Sequence, residues 1–495
     1  MSIDKLRTFI GEVMDLRHAA DLIEWDERVY MPPGGVTVHG EMSAALRRLA
    51  HEKFTSSLIG DALQAADGEL ASADADSTDA RMVRVVARDY ARATRVPADF
   101  VAEHAAVVSA AQHTWAEARA RSNFAQFAPH LQKVIDLKRR YVAFFPPADH
   151  PYDVLLDDYE PGMKTADVRR LFDSLRQRQV AIIKGVAARP APAADFLTRS
   201  YAENDIWRFA VDVVTAFGFD WARGRQDKSV HPFATGIGAS DVRITTRWVE
   251  GQPLALLFGT MHEAGHALYE QGVGAEHQRT ILEGGASLGV HESQSRLWEN
   301  MVGRSRPFWD HFFPQLQAAC PAQLGGVTAG GFHAAINRVQ PTLIRVESDE
   351  ATYNLHIMLR VELELALIEG SLKVSELPDA WNAKIQEYLG LTPPDDAKGV
   401  LQDIHWSAGL FGYFATYTLG NVIAAQLWER FGAVHPDRDA EIGRGDFSAL
   451  LSWLRAELHQ HGRKFEPKEL VRRITGSAVD SEPYLRYLER KYASH

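Results

Sequence analysis

The residues best suited to chemistry lie in the run Met261-His262-Glu263-Ala264-Gly265-His266-Ala267-Leu268-Tyr269, which contains the pattern H-E-x-x-H. On a helix, residues four apart share one face. His262 and His266 can therefore present two imidazole nitrogens to one metal ion, and Glu263, one step round, can reach a water beside it. Two ligands and a general base on one helical turn are the arrangement of a zinc hydrolase. Two histidines four apart also suit an ordinary core or surface helix, so the reading needs a third ligand.

A third histidine on the extended form of this motif would require Gly at 269 and His at 272. The chain has Tyr269 and Gly272, which excludes that class. The alternative is a carboxylate from a second helix. Glu292, in His291-Glu292-Ser293-Gln294, opens a strongly helical segment and is the first choice, with water in the open fourth position. Glu283, Glu299 and Glu270 remain alternatives.

These groups must be held by defined elements. Pro253 suits a first helical turn and Gly272 the position past the end, with Leu254, Leu256, Leu257, Phe258, Met261 and Leu268 between them as the apolar face. Gly265 in a helix interior costs about 1 kcal/mol against Ala. That fits a close approach of another segment to the metal. Asp241 to Trp248 alternates and is rich in β-branched residues, the clearest strand in the chain. It leads into the metal helix, where it either adds to an extended peptide through its backbone or packs the helix as a simple hairpin. Elsewhere the apolar spacing is helical, including 1–140 and the segments near Leu297, Leu355–Leu367 and Val422–Trp428. Ala65–Asp79 reads as an exposed turn or a frayed segment, and the acidic stretch Pro151–Gly162 as an irregular loop. The fold is therefore expected to be mainly α with a small β element.

The composition bounds the function. The chain has 495 residues, 46% of them apolar, with 54 basic and 65 acidic side chains giving a net charge of −11. That balance argues against a nucleic-acid binder and against a basic membrane-binding patch. A lone cysteine, Cys320, excludes an internal disulfide and fits a reducing compartment. With no apolar signal core and no run long enough to span a bilayer, a cytoplasmic protein is expected.

At this point the chain resembles the carboxypeptidase Taq family of zinc metallocarboxypeptidases. The resemblance rests on His231-Pro232-Phe233, Asp241-Val242-Arg243-Ile244-Thr245, the H-E-x-x-H helix and His291-Glu292-Ser293-Gln294. It continues through Ile344-Arg345-Val346-Glu347-Ser348-Asp349 and Gly399-Val400-Leu401-Gln402-Asp403-Ile404-His405-Trp406, with Trp25-Asp26 and Met31-Pro32 near the N-terminus. Ser348 stands where the family pattern has Ala, a small departure.

The resemblance implies an elongated helical body with a deep groove and zinc at its base, similar to helical zinc oligopeptidases. It implies a single domain over 1–495, with an N-terminal helical part to about 190 and a zinc-containing part from about 195. It further implies release of amino acids one at a time from free peptide C-termini with broad preference, one Zn2+ per chain (Co2+ or Mn2+ as substitutes) and a homodimer.

Within that reading Glu263 takes a proton from the attacking water and passes it to the leaving amine. His405 and Tyr417, in an aromatic-rich segment, are the candidate oxyanion donors. Arg345 is the first choice for the substrate's terminal carboxylate, because a guanidinium fork matches it, with His231 and Arg243 behind it. Glu347, Asp349 and Asp403 are candidate acceptors for the outer nitrogens of the metal histidines. An oligopeptidase or endopeptidase on the same scaffold is the nearest rival. A non-catalytic helical protein with a structural metal is further off, because structural zinc is usually closed by four protein ligands, often cysteine.

Overall fold

Apolar residues spaced three and four apart build nearly all of this chain into helices. The structure is a computed structural model that describes residues 2–493. Those residues form two compact units, each discontinuous in sequence. The first takes the chain up to Thr94, Pro192–Ile336 and Ala424–Ala478; the second takes Arg95–Ala191, Asn337–Ile423 and the chain from Val479 on. The stretch 1–190, read from the sequence as one N-terminal part, is thus shared between both.

In the first unit, Leu6, Ile10 and Val13 on the helix Ser2–Val29 are fully buried. They share a core with Phe54, Ile59, Met82 and Val86 from the next three helices, and with Ile281 and Leu282 from beyond the H-E-x-x-H helix. The sheet has three strands: β1 (Gly224–Lys228), β2 (Ala234–Gly236) and β3 (Val242–Thr246). Their order is β1-β3-β2, with β1 parallel to β3 (Gly224 opposite Val242) and β2 antiparallel to it (Ala234 opposite Ile244).

The strand expected from the sequence is therefore present as β3, but in the middle of the sheet. Both of its edges are already hydrogen-bonded, so it cannot add a peptide strand, and that expectation is corrected. Its role is to seat the helix Pro253–Gly272. Thr246 Oγ1 donates to the Leu256 carbonyl at 3.2 Å, and Gln226 Nε2 on β1 donates to Thr260 Oγ1 at 2.9 Å.

The second unit is organised on the helix Glu350–Glu369. Asp349 caps it, its side chain accepting from the amides of Ala351 and Thr352 at 2.9 and 3.0 Å. Every residue from Ala351 to Val361 is buried, so this part of the helix is covered on all sides. Helices Phe124–Val142, Thr165–Ala187 and Leu377–Leu389 pack on it.

Two local expectations fail here for identifiable reasons. Pro151–Leu156 is a short helix, not a loop: Pro151 sits in its first turn, and the His150 ring accepts from the Tyr152 amide at 3.1 Å. The acidic residues that suggested a loop lie after it. The helix Ser57–Glu69 also runs through the start of the segment read as an exposed turn, because Ala62 and Ala66 are small enough to bury against the core.

Candidate metal centre

The helix Pro253–Gly272 starts on Pro253 and buries Leu256, Leu257, Met261, Ala264 and Leu268, which fixes the opposite turn carrying His262 and His266. Their rings lie 5.0 Å apart. Gly265 between them is where a second helix crosses. A Cβ there would stand 2.6 Å from the Gln294 carbonyl oxygen and 2.6 Å from Ser295 Cα. That second helix, Leu288–Arg296, is capped by Ser287, which accepts from the Val290 amide at 3.1 Å. It carries Glu292. Replacing Gly265 with Ala should therefore destabilise the protein by about 1–3 kcal/mol, although Ala is the better helix former, because the overlap falls on backbone. Thermal unfolding checks the sign, and cation affinity should fall with it.

Glu292 Oε2 stands 3.6 Å from His262 Nε2 and 3.4 Å from His266 Nε2. Among the described residues these three are the ones whose donor atoms converge, all within 4.8 Å. Two donors bound tetrahedrally at about 2.1 Å are themselves about 3.4 Å apart. The three side chains thus offer two imidazoles and a carboxylate at the spacing a divalent cation such as zinc takes. Among the alternatives weighed from the sequence, Glu299 and Glu270 lie behind the histidines, and Glu283 is 3.7 Å from His18.

The electrostatics suit a cation. Burial pushes His266 down to about 3, so its imidazole is neutral with a lone pair to give. Burial opposes protonation of His262 as well, but Glu292 and Glu299 outweigh it and hold this ring above its usual value. The same burial opposes ionisation of Glu292, yet Arg296 and the two imidazoles keep its carboxyl well below the ordinary range. Arg296 Nε donates to Glu292 Oε1 at 2.7 Å, and Ser295 Oγ donates to Oε2 at 2.9 Å. Glu263 is buried too, and burial lifts it to about 7, with Glu292 and Glu299 adding to the rise and the His262 and His291 imidazoles opposing it. A divalent cation in the site would pull it back toward ionisation, the state a general base needs.

Glu299 and Glu270, weighed from the sequence only as rival ligands, and His291 support this centre from behind the imidazoles. His262 Nδ1 meets Glu299 Oε2 at 2.9 Å, and Arg296 and Arg304 approach the same carboxylate at 3.3 and 3.6 Å. His266 Nδ1 faces His291 Nδ1 at 2.6 Å, and His291 Nε2 meets Glu270 Oε1 at 2.6 Å. Glu299 sits in a π-helical turn, Leu297–Val302, that continues directly from the Glu292 helix. A widened turn of this kind frequently marks a functional site. Of the acids proposed for these roles, Asp349 caps its helix and Asp403 binds arginines, while Glu347 ends a short 3-10 turn in the second unit.

The remaining predicted residues fall into two places. Arg345, His405 and Tyr417 form one cluster in the second unit. Arg345 donates to Asp403 Oδ1 from Nε at 2.9 Å and from Nη2 at 2.8 Å, and to Tyr353 from Nη1 at 2.9 Å. Arg360, fully buried, takes Asp403 Oδ2 at 2.6 Å. His405 Nε2 is 3.2 Å from the Tyr417 hydroxyl, whose ring lies 5.1 Å from the Arg345 guanidinium. His231 and Arg243 lie in the first unit instead. Arg243 is forked onto Asp241 at 2.9 and 2.7 Å and lies over Trp25 at 4.3 Å. The His231 carbonyl accepts from Ser229 at 2.7 Å, and its side chain is exposed.

Comparison with known proteins gives a consistent result. Residues 5–492 match the family model for carboxypeptidase Taq (M32) metallopeptidases. Thermostable carboxypeptidase 1 of Thermus thermophilus is 43% identical, covering 99% of this chain and 98% of that protein. Carboxypeptidase 1 of Bacillus subtilis is 34% identical over 99% of each. The crystal structure of an M32 carboxypeptidase from Deinococcus radiodurans superposes with a TM-score of 0.96 at 42% identity, covering 100% of this chain and 99% of that one.

Proposed function

The chain belongs to the carboxypeptidase Taq (M32) metallopeptidase family and is a metallocarboxypeptidase, and from that premise we propose that His262, His266 and Glu292 hold a zinc ion while Glu263 is the general base. The observation that carries the assignment is the convergence of those three donors at 3.4–3.6 Å around Glu292 Oε2. When bound there, the cation supplies Lewis acidity, lowering the pKa of a water and polarising a carbonyl oxygen.

The chain's own groups do the rest. Glu263 accepts the proton of the attacking water and returns it to the leaving amine nitrogen. His405 and Tyr417 are the proposed donors to the developing oxyanion. Burial pushes His405 down to about 3, so it acts as a neutral imidazole, donating through one ring nitrogen.

We assign the peptide's terminal carboxylate to Arg345. One carboxylate, Asp403, faces two buried guanidiniums, Arg345 and Arg360, so among the described residues this cluster carries a positive charge in excess. Burial and the neighbouring guanidinium depress Arg360 to about 10, although Asp403 opposes them. A buried unpaired charge is strongly unfavourable, and a substrate anion would neutralise it. Three of the five N–H groups of Arg345 are committed to Asp403 and Tyr353, which leaves two for a ligand. His231 and Arg243 take no part in this reading.

The proposal extends to one zinc per chain, with Co2+ or Mn2+ as substitutes, and to a homodimer, as the family resemblance implies. It extends also to a cytoplasmic location, supported by a single, buried cysteine. Among the described residues no helix is long and apolar enough to cross a membrane.

The direct test is mass spectrometry of a peptide digest with and without a chelator. The expected product is a ladder shortening by one residue at a time from the C-terminus, absent after chelation and restored by Zn2+. Internal cleavage products, or a ladder that survives full metal removal, would refute the reading.

A further inference from the structure

The two imidazoles of the metal centre are supported in different ways. His262 Nδ1 reaches a carboxylate directly, Glu299 at 2.9 Å. His266 Nδ1 reaches a second imidazole, His291 Nδ1 at 2.6 Å, and only behind that a carboxylate, Glu270, 2.6 Å from His291 Nε2. A ligand histidine usually hands its outer N–H to one acceptor, which fixes its tautomer and orientation. Here that acceptor is itself a histidine with two tautomers.

Proton positions along this line are not independent. Two ring nitrogens 2.6 Å apart share one hydrogen, because two N–H groups cannot face each other and two lone pairs would repel. If the hydrogen sits on His291 Nδ1, then His266 carries its own on Nε2, the atom 3.4 Å from Glu292 Oε2, and has no lone pair there for a cation. His291 Nε2 would then turn a lone pair toward the Glu270 carboxylate, acceptor against acceptor. If instead the hydrogen sits on His266 Nδ1, His266 donates to His291 Nδ1, His291 Nε2–H donates to Glu270 at 2.6 Å, and His266 Nε2 turns a lone pair toward Glu292 across the longer gap of 3.4 Å, where a cation would lie between them. The carboxylate at the far end decides between the two.

The surroundings hold this line in place. The His291 ring lies tilted against His266 at 4.7 Å and against Tyr269 at 5.2 Å. A Cβ on Gly285 would come within 2.7 Å of the His291 ring, and one on Gly236, at the end of β2, within 3.3 Å of Glu270 Oε2. Two glycines thus leave room for the pair.

We propose that His291 and Glu270 are positioning residues for the cation: Glu270 fixes the His291 tautomer, and His291 in turn fixes His266 with Nε2 bare toward the metal. This rests on His262, His266 and Glu292 being the ligands.

The test is Zn2+ affinity of the full chain, by competition with a chromophoric chelator at fixed pH, for the wild type, His291→Phe, Glu270→Leu and Glu270→Gln. His291→Phe should bind about 10–100-fold more weakly, and Glu270→Leu should weaken binding in the same direction. Glu270→Gln should stay within about threefold of wild type, since an amide oxygen still accepts from His291 Nε2. Unchanged affinity in His291→Phe would overturn the relay. So would Glu270→Gln falling as far as Glu270→Leu, since that would make charge or packing the cause.

Thermal unfolding of the cation-free variants identifies any that fail to fold, and the Glu270 pair, nearly equal in volume, then carries the comparison. A second readout is the 15N spectrum of histidine-labelled, zinc-loaded protein, with His291 identified by its loss in His291→Phe or, should that variant fail to fold, in His291→Gln. The Nε2–H form is expected, and the Nδ1–H form would sink the proposal. A wild-type chain that takes up no zinc would remove the ligand assignment and this inference together, whereas a wild type that binds with indifferent variants removes only this one.

Discussion

Glu263→Gln should bind one cation per chain as the wild type does and lose turnover by about 10³-fold or more. The size follows from what is removed. General base catalysis is worth about 10²–10⁴-fold, and an amide of the same shape cannot accept the water's proton. The metal should stay because Glu263 is not among the converging donors, which are His262, His266 and Glu292. Stability should hold or rise. Glu263 is buried near two other carboxylates, and its elevation to about 7 is the mark of an unfavourable buried charge. A neutral side chain of equal volume relieves that, as substitutions at active sites often do. The measurement is kcat on a free-acid peptide, with bound metal quantified in the same sample and the unfolding midpoint recorded. Activity within tenfold of wild type in fully loaded protein would take Glu263 out of the mechanism. Loss of both metal and activity would instead make it a structural part of the centre.

What could be read from the sequence, and what could not, divides along a physical line. The H-E-x-x-H helix was legible because its information is local: Pro253 at the start, an apolar face, and two histidines on one turn. Even the glycine between them carried a correct hint, since its cost inside a helix needs a reason, and the crossing Glu292 helix supplies one.

Glu299, Glu270 and His291 were harder. From spacing alone Glu270 and Glu299 rivalled Glu292 as ligands. Only the packing of two helices, and the π turn at Leu297–Val302, places Glu299 on an imidazole. The signal that pointed toward these partners was the clustering of acids and histidines around one motif, which tells that a centre is supported but not by which pairs. The interleaving of the two units was only partly legible: the proline- and alanine-rich run Arg189–Ala194 lies where the chain re-enters the first unit at Pro192, but nothing in the local pattern tells that the segments after Thr94 and after Ile336 belong to one unit. The central position of β3 depended on the short strand β2, whose three residues show little alternation to find.

Arg345→Met should cut kcat/KM on free-acid peptides by about 10²–10³-fold, the equivalent of about 3–4 kcal/mol for a buried charge pair that loses one partner. C-terminally amidated peptides, slow from the outset, should lose little further. Stability separates this role from a structural one. In the wild type one carboxylate, Asp403, is shared by Arg345 and Arg360. Removing Arg345 leaves Asp403 and Arg360 as a balanced pair, so the unfolding midpoint should barely move. Removing the shared acid, in Asp403→Asn, leaves two buried guanidiniums without a counter-charge and should cost about 3–5 kcal/mol. The two variants therefore respond in opposite ways: the first is folded and blind to the substrate's carboxylate, and the second is impaired in folding. If Arg345 served only to brace Asp403, its loss would slow free-acid and amidated peptides alike and lower the midpoint with them. That pattern would move the recognition of the peptide C-terminus to another residue.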